Sequence, residues 1–204
     1  NPLNKKEIIS KSRKKINFPF FEKEENQLNI VNVARFTDQK DHLTLLKAVN
    51  LIKNKINFKL LIIGRGVNKE KMQNFIKKNS LDKRIKIINF QNNPFKYIGK
   101  SNLFILSSKF EGLPNVLLEA ITLKKFVISS NCPTGPREIL SSGKGGELFK
   151  IGDYKTLSRK IITFHKNKSK FQKKINFSFK SLYRFDYYHN LKKYLKVVER
   201  FTNI

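Results

Sequence analysis

This sequence predicts an α/β domain: a parallel β-sheet with helices on both faces. Three observations lead to it. Short apolar runs alternate with amphipathic stretches from residue 28 to residue 167, the signature of strands joined by crossover helices. The run "NFKLLIIG" (57–64) has the continuous apolar character of a strand buried on both faces. The length of 204 residues suits one domain with an appendage, and no internal repeat is visible.

The elements follow in order. "LNIVNVARF" (28–36) reads as a strand, and "KDHLTLLKAVNLIKNK" (40–55) as a helix with Leu43, Leu46, Val49 and Ile52 on one face. After the strand 57–64 comes a helix at 68–79 with Met72, Phe75 and Ile76 inward, then a strand at 84–90. A short helix at 93–101 begins near Pro94. Strand 102–108, helix 114–124, strand 125–130, a short helix at 135–143 and a last strand at 145–151 continue the alternation. Helix 153–167 starts at an Asp153 cap. Residues 1–27 have weak periodicity and many charges, which makes them a linker with one helix at 4–15. Residues 168–204 form a helical tail, with Tyr187, Leu191, Tyr194, Leu195 and Val198 on one stripe.

Lys and Arg number 43 against 15 Asp and Glu, a net charge of +28. Such a balance fits a polyanionic partner, whether nucleic acid, anionic membrane or phosphorylated ligand. It equally fits a compositional bias toward Lys, Asn, Ile and Phe, because the lysines are spread along the chain. The single cysteine, Cys132, rules out a disulfide within the chain and points to a reducing compartment. Cys132 reads either as a reactive thiol or as a small buried hydrophobe. No apolar run is long enough to cross a membrane as a helix, and the first residues lack the apolar core of a secretion signal.

The string "EGLPNVLLEA" (111–120) carries the chemistry. Pro114 suits the first turn of a helix, which leaves the amides of Asn115 and Val116 free at its positive end, an anion site. Glu119 lies four residues on, about 6 Å along the axis. There it would repel a phosphate but can accept hydrogen bonds from a vicinal diol beside one, as acidic residues do for riboses. Glu111, on the loop before the helix, faces the other side of the same phosphate. "GRG" at 64–66 lacks the third glycine of a dinucleotide fingerprint, since residue 69 is Lys.

"RFTDQKDHLTLLKA", "LLIIGRG", "FQNNPFKYIGKSNLFILSSKFEGLPNVLLEAI" and "NCPTGPREIL", in this order, resemble the C-terminal, donor-binding domain of the group 1 retaining glycosyltransferases (family 4). These enzymes have two Rossmann-like domains facing a cleft, the GT-B arrangement. The resemblance runs from Leu28 to Lys166 and includes the family's pair of glutamates, here Glu111 and Glu119. It makes residues 28–167 a Rossmann-like nucleotide-sugar-binding domain. It implies transfer of a hexosyl or N-acetylhexosaminyl group from a UDP-linked donor to a glycan or lipid-linked acceptor in surface polysaccharide or lipopolysaccharide synthesis. No metal cofactor is implied. Arg35 and Lys40 would grip the diphosphate, Lys40 from the opening of the helix after the first strand. Glu111 would contact donor-sugar hydroxyls. Gly64, Gly66, Gly112, Leu113, Asn115 and Val116 would contact the phosphates, and Glu119 the ribose. Phe90 packs on the base or in the core. Asn89 stands where the family has glycine and is expected to take a left-handed turn. The resemblance further implies that an N-terminal acceptor domain is missing, that the terminal helix crosses onto it, and that the isolated chain lacks turnover. The setting would be cytoplasmic, peripheral on the inner face of the membrane. The alternative from a different class is a basic nucleic-acid-binding domain.

Overall fold

The computed structural model describes residues 3–21 and 26–202. Six strands form one parallel sheet: β1 (Leu28–Val33), β2 (Phe58–Gly64), β3 (Ile85–Asn89), β4 (Leu103–Leu106), β5 (Phe126–Ser130) and β6 (Glu147–Phe149), in the order β3-β2-β1-β4-β5-β6. The chain starts in mid-sheet, runs outward to β3, then returns to β4 on the other side of β1. That reversal opens a crevice beyond the carboxyl ends of β1 and β4, where open α/β sheets bind ligands.

Alternate strand residues feed two cores. On one face Ile30, Ile62, Ile105 and Ile128 pack under α2 (His42–Asn50), α3 (Lys69–Lys78) and α7 (Tyr154–Lys166) through Leu46, Met72 and Ile161. On the other face Val31, Leu61, Phe104 and Val127 pack under α1 (Lys5–Ser12), α4 (Phe95–Lys100) and α5 (Asn115–Thr122) through Ile8, Ile98 and Leu118. Phe75, expected inward, is only partly buried against the first core. The remaining elements are α6 (Pro136–Ile139), α8 (Gln172–Lys180) and α9 (Tyr187–Thr202), joined by short 3-10 turns. Residues 3–21, the described part of the segment expected to be a linker, lie on this second face and bury Leu3, Ile8 and Phe21.

Three local expectations are corrected. The helix after β1 begins at His42, and Lys40 belongs to a 3-10 turn (Asp38–Lys40) ahead of it. The break is Asp41, which adopts a left-handed conformation (φ 43°) and caps α2 by accepting from the Thr44 amide and hydroxyl. Pro114 is the cap of α5 with an extended ψ of 95°, so the helix begins one residue later. Asn89 ends β3 in strand pairing with Gly64 and is absent from the left-handed residues among those described.

Gly64 ends β2 where only hydrogen fits: a Cβ would lie 1.9 Å from the Ala34 carbonyl oxygen and 2.7 Å from the Phe36 ring. The β2 end is thereby laced to the segment after β1, with the Phe36 amide donating to Arg65 O at 2.8 Å and the Asn68 amide to Phe36 O at 3.0 Å. Gly64→Ala is expected to destabilise the chain by roughly 2–4 kcal/mol through this backbone clash. Urea unfolding checks it, and an unchanged midpoint would mean the two segments do not approach in solution.

Candidate functional site

The crevice is built from loop ends. The 3-10 turn after β1 presents Lys40, and the loop after β4 presents Glu111. Lys40 Nζ donates to both carboxylate oxygens, at 2.7 and 2.8 Å. Their side chains are only 14% and 7% exposed, so the pair is nearly withdrawn from water. Ser108 Oγ donates to Glu111 Oε1 at 2.6 Å, and Ser107 Oγ to the Lys40 carbonyl at 2.9 Å. Thr134 Oγ1 donates to the Glu111 carbonyl. Gly135 (φ 68°) packs so closely on this loop that a Cβ would sit 2.0 Å from Gly112 O. The loops after β4 and β5 therefore act as one unit around the start of α5.

At that start, Pro114 O accepts from the Leu117 amide at 2.9 Å. The amides of Asn115 and Val116, in the first turn, have no intrahelical acceptor. One turn later Glu119 lines a hollow of ≈ 320 Å³ together with Asn115, Asn92, Phe95 and, from the amino-terminal segment, Leu3, Asn4, Glu7, Ile8 and Lys11. Burial raises the Glu119 carboxyl to about 7.

The sequence-predicted residues thus fall into groups. Lys40 is joined to Glu111, and Asn115 to Glu119 in the hollow. Gly112 is exposed, with open space where a side chain would go; Leu113 is 43% exposed, and Val116 is half-buried. Gly64 and Gly66 (φ 145°) shape the backbone lacing at the end of β2. Arg35 is exposed two residues past β1, and its guanidinium makes no hydrogen bond or ion pair to the described residues. Neither Arg35 nor Lys40 lines the hollow that holds Glu119. Phe90, left open between base and core, is 56% exposed just past β3, with the Arg65 guanidinium 5.3 Å from its ring centre. Cys132 is buried, and burial pushes its thiol up, as for a small hydrophobe.

Sequence reasoning missed two features. One is the serine layer of Ser107, Ser108 and Ser130 around the ion pair, signalled by two apolar runs that each lead into Ser-Ser, at 107–108 and 129–130. The other is His42, buried beneath the Lys40 turn against the edge of Phe36, with no partner on either ring nitrogen among the described residues. Burial, reinforced by the Lys40 charge, lowers it to about 4.

A parallel sheet with a charged, loop-built crevice at its switch point, beside a helix start with open amides, is an arrangement on which open α/β folds commonly bind phosphorylated ligands. Residues 13–180 match the family Glycosyl transferases group 1, and the chain belongs to that family. It is 32% identical over 170 residues to the lipopolysaccharide 1,6-galactosyltransferase of Escherichia coli, covering 80% of this chain and 46% of that protein. It is 30% identical over 150 residues to the N-acetylgalactosamine-N,N'-diacetylbacillosaminyl-diphospho-undecaprenol 4-alpha-N-acetylgalactosaminyltransferase of Campylobacter jejuni, covering 69% and 40%. The fold is similar to that of HepE from Anabaena, solved in complex with UDP, with a TM-score of 0.75 at 17% identity over 88% of this chain and 50% of that one. The chain spans less than half the length of the two curated relatives.

Glu119 and His42 give opposite pH dependences. Glu119 is raised from 4.5 to about 7, so its protonated form adds stability that is complete below 4.5 and lost as pH rises through 7. His42 is lowered from 6.5 to about 4, so its neutral form adds stability that is present above 6.5 and lost as pH falls through 4. Each effect is on the order of 3 kcal/mol, and they oppose each other between pH 5 and 7. Glu119→Gln is expected to lose stability from pH 7 to pH 5 more steeply than wild type. Urea midpoints across that range check it, and parallel curves for the two proteins would refute the buried carboxyl.

Proposed function

We propose that this chain is the donor-binding part of a retaining glycosyltransferase using a nucleotide sugar, UDP-linked, to transfer a hexosyl or N-acetylhexosaminyl group. The observation that carries the reading is the Lys40–Glu111 pair, set where β1 and β4 diverge and adjoining the open amides of α5. A diphosphate docks against those amides, with Arg35 and Lys40 offsetting its charge as the nucleotide departs, and no metal is needed. Glu119 takes the ribose diol and Glu111 the sugar hydroxyls. Phe90 offers an exposed ring to the base. The HepE complex with UDP supports the nucleotide. The names of the two curated relatives support a glycan or lipid-linked acceptor in surface polysaccharide synthesis. The acceptor side belongs to a further domain of a longer protein, so the chain alone binds donor without turnover. The nucleic-acid alternative is not favoured, because the lysines are spread along the chain and the chain belongs to a glycosyltransferase family.

Isothermal titration tests the reading. Wild type is expected to bind UDP and UDP-sugars, Glu119→Ala to weaken both about tenfold or more, and Arg35→Ala to weaken UDP by a similar factor. Absence of UDP binding in wild type, or indifference to Glu119→Ala, would remove the assignment.

We further infer a cytoplasmic protein that meets an anionic membrane surface through its scattered lysines, while the α9 face, where Tyr194 and Phe201 are 72% and 74% exposed, covers the acceptor domain. The chain is expected to float with vesicles containing phosphatidylglycerol at low salt and to be released by about 0.5 M salt, where the Debye length falls to about 4 Å. Tyr194→Glu with Phe201→Glu is expected to leave flotation unchanged. Equal flotation with neutral vesicles would overturn the electrostatic reading, and loss on substitution would assign α9 to the lipid.

A further inference from the structure

We propose that Ser108 is a positioning residue for Glu111, holding one carboxylate oxygen so that the other is free to read the donor sugar once a phosphate has drawn on Lys40. The inference rests on the donor-binding reading above and adds a residue to it. In the ligand-free site Glu111 Oε1 accepts from both Lys40 Nζ (2.7 Å) and Ser108 Oγ (2.6 Å), whereas Oε2 accepts from Lys40 at 2.8 Å. The two oxygens are therefore not equivalent. When Lys40 turns part of its charge to a phosphate, Oε1 keeps the serine hydroxyl, and Oε2 is the atom left with open acceptor capacity.

Ser108 can do this because it is itself fixed. It is fully buried, and its carbonyl accepts from Ser130 Oγ at 2.6 Å, which ties the end of β4 to the end of β5. Ser107, also fully buried, ties the Lys40 carbonyl to the same strand end. Both partners of the ion pair thus hang from the end of β4 through serine hydroxyls. A hydroxyl donor to a buried carboxylate is a charge-assisted bond, short and directional. It sets the carboxylate plane without adding a second cation that would compete with Lys40 for the phosphate. The chemistry read by Oε2 is a neutral hydroxyl donor, as on a hexopyranose ring, and not an anion.

The measurement that separates positioning from packing is the ratio of two affinities. UDP lacks the sugar that Glu111 reads, and a UDP-sugar has it. Titrations would use UDP and a panel of UDP-glucose, UDP-galactose and UDP-N-acetylglucosamine, following the tightest of the three. Ser108→Ala is expected to weaken that UDP-sugar about tenfold while UDP stays within about twofold. Ser108→Cys, equal in shape but a weak donor, is expected to do the same. Ser129→Ala removes a buried hydroxyl that donates to Ser130 O at 3.0 Å and should leave the ratio unchanged. An unchanged ratio in Ser108→Ala and Ser108→Cys would overturn the positioning role, as would equal loss of UDP and UDP-sugar. Failure of wild type to bind UDP would instead overturn the donor-binding reading, and this inference with it.

Discussion

A nearly water-free ion pair between Lys40 and Glu111 joins the two sides of the sheet's crevice, and the rest of the site is arranged around it. Withdrawing two charges from water costs several kcal/mol per ion, and their attraction repays it only with good geometry and further hydrogen bonds. Both conditions hold: Lys40 reaches both carboxylate oxygens, and Ser108 donates to one of them. The pair also imposes a rule on any ligand. Lys40 is already compensated, so a phosphate arriving there would join an existing pair as its third member and would not meet a bare cation. Arg35, exposed just past β1, has by contrast no hydrogen bond or ion pair to the described residues. Arg35 and Lys40 are therefore not interchangeable: one is free to follow the ligand, the other is fixed by the fold.

The strands were legible because most are short stretches dominated by Leu, Ile, Val and Phe between polar breaks, and a parallel sheet buries both faces of such stretches. The boundaries were less so. Asp41 in its left-handed conformation stops the Lys40 turn from joining α2, and nothing in "TDQKDHL" announces it. The helix α8, inside the tail expected to be helical, carries a conflicting local pattern. "INFSFKSL" alternates polar and apolar like a strand, yet the residues it buries are Ile175, Ser178 and Leu182, at helical spacing and with a serine in the stripe. Tertiary packing against α5 overrides the local pattern there.

The site was legible where chemistry and spacing coincide, and not where it depends on packing. Glu111 and Glu119 stand out in a chain with few carboxylates, but no expectation joined Lys40 to Glu111, and that pair emerges only from the fold. Serine is too common to flag, so the hydroxyl layer became visible only once the ends of β4 and β5 lay side by side. The wall that Leu3, Asn4 and Lys11 give to the Glu119 hollow could not be anticipated, because residues 1–27 have no strong period and lie about a hundred positions away. That wall also accounts for the raised Glu119 carboxyl: a segment that reads as a connection buries the residue expected to bind a ribose.

The large cationic excess is absorbed by the fold in a way that bears on how it is interpreted. With 15 carboxylates for 43 Lys and Arg, the ion pairs among the described residues use few of the cations, and several more take backbone carbonyls as acceptors. Lys125 donates to Gly99 O at the end of α4, and Lys53 to Asn79 O at the end of α3. Lys174, besides its ion pair with Glu147, reaches Gly143 O and Gly146 O, and Arg184 reaches Glu138 O and Ile139 O at the end of α6. Carbonyls at helix ends carry partial negative charge, so they substitute for missing acids. A lysine used this way is structural, and a count of such residues says little about a polyanionic partner. The informative cations are those the fold leaves without an acceptor at the crevice, as Arg35 is, and those it spends a scarce carboxylate to hold, as Lys40 is.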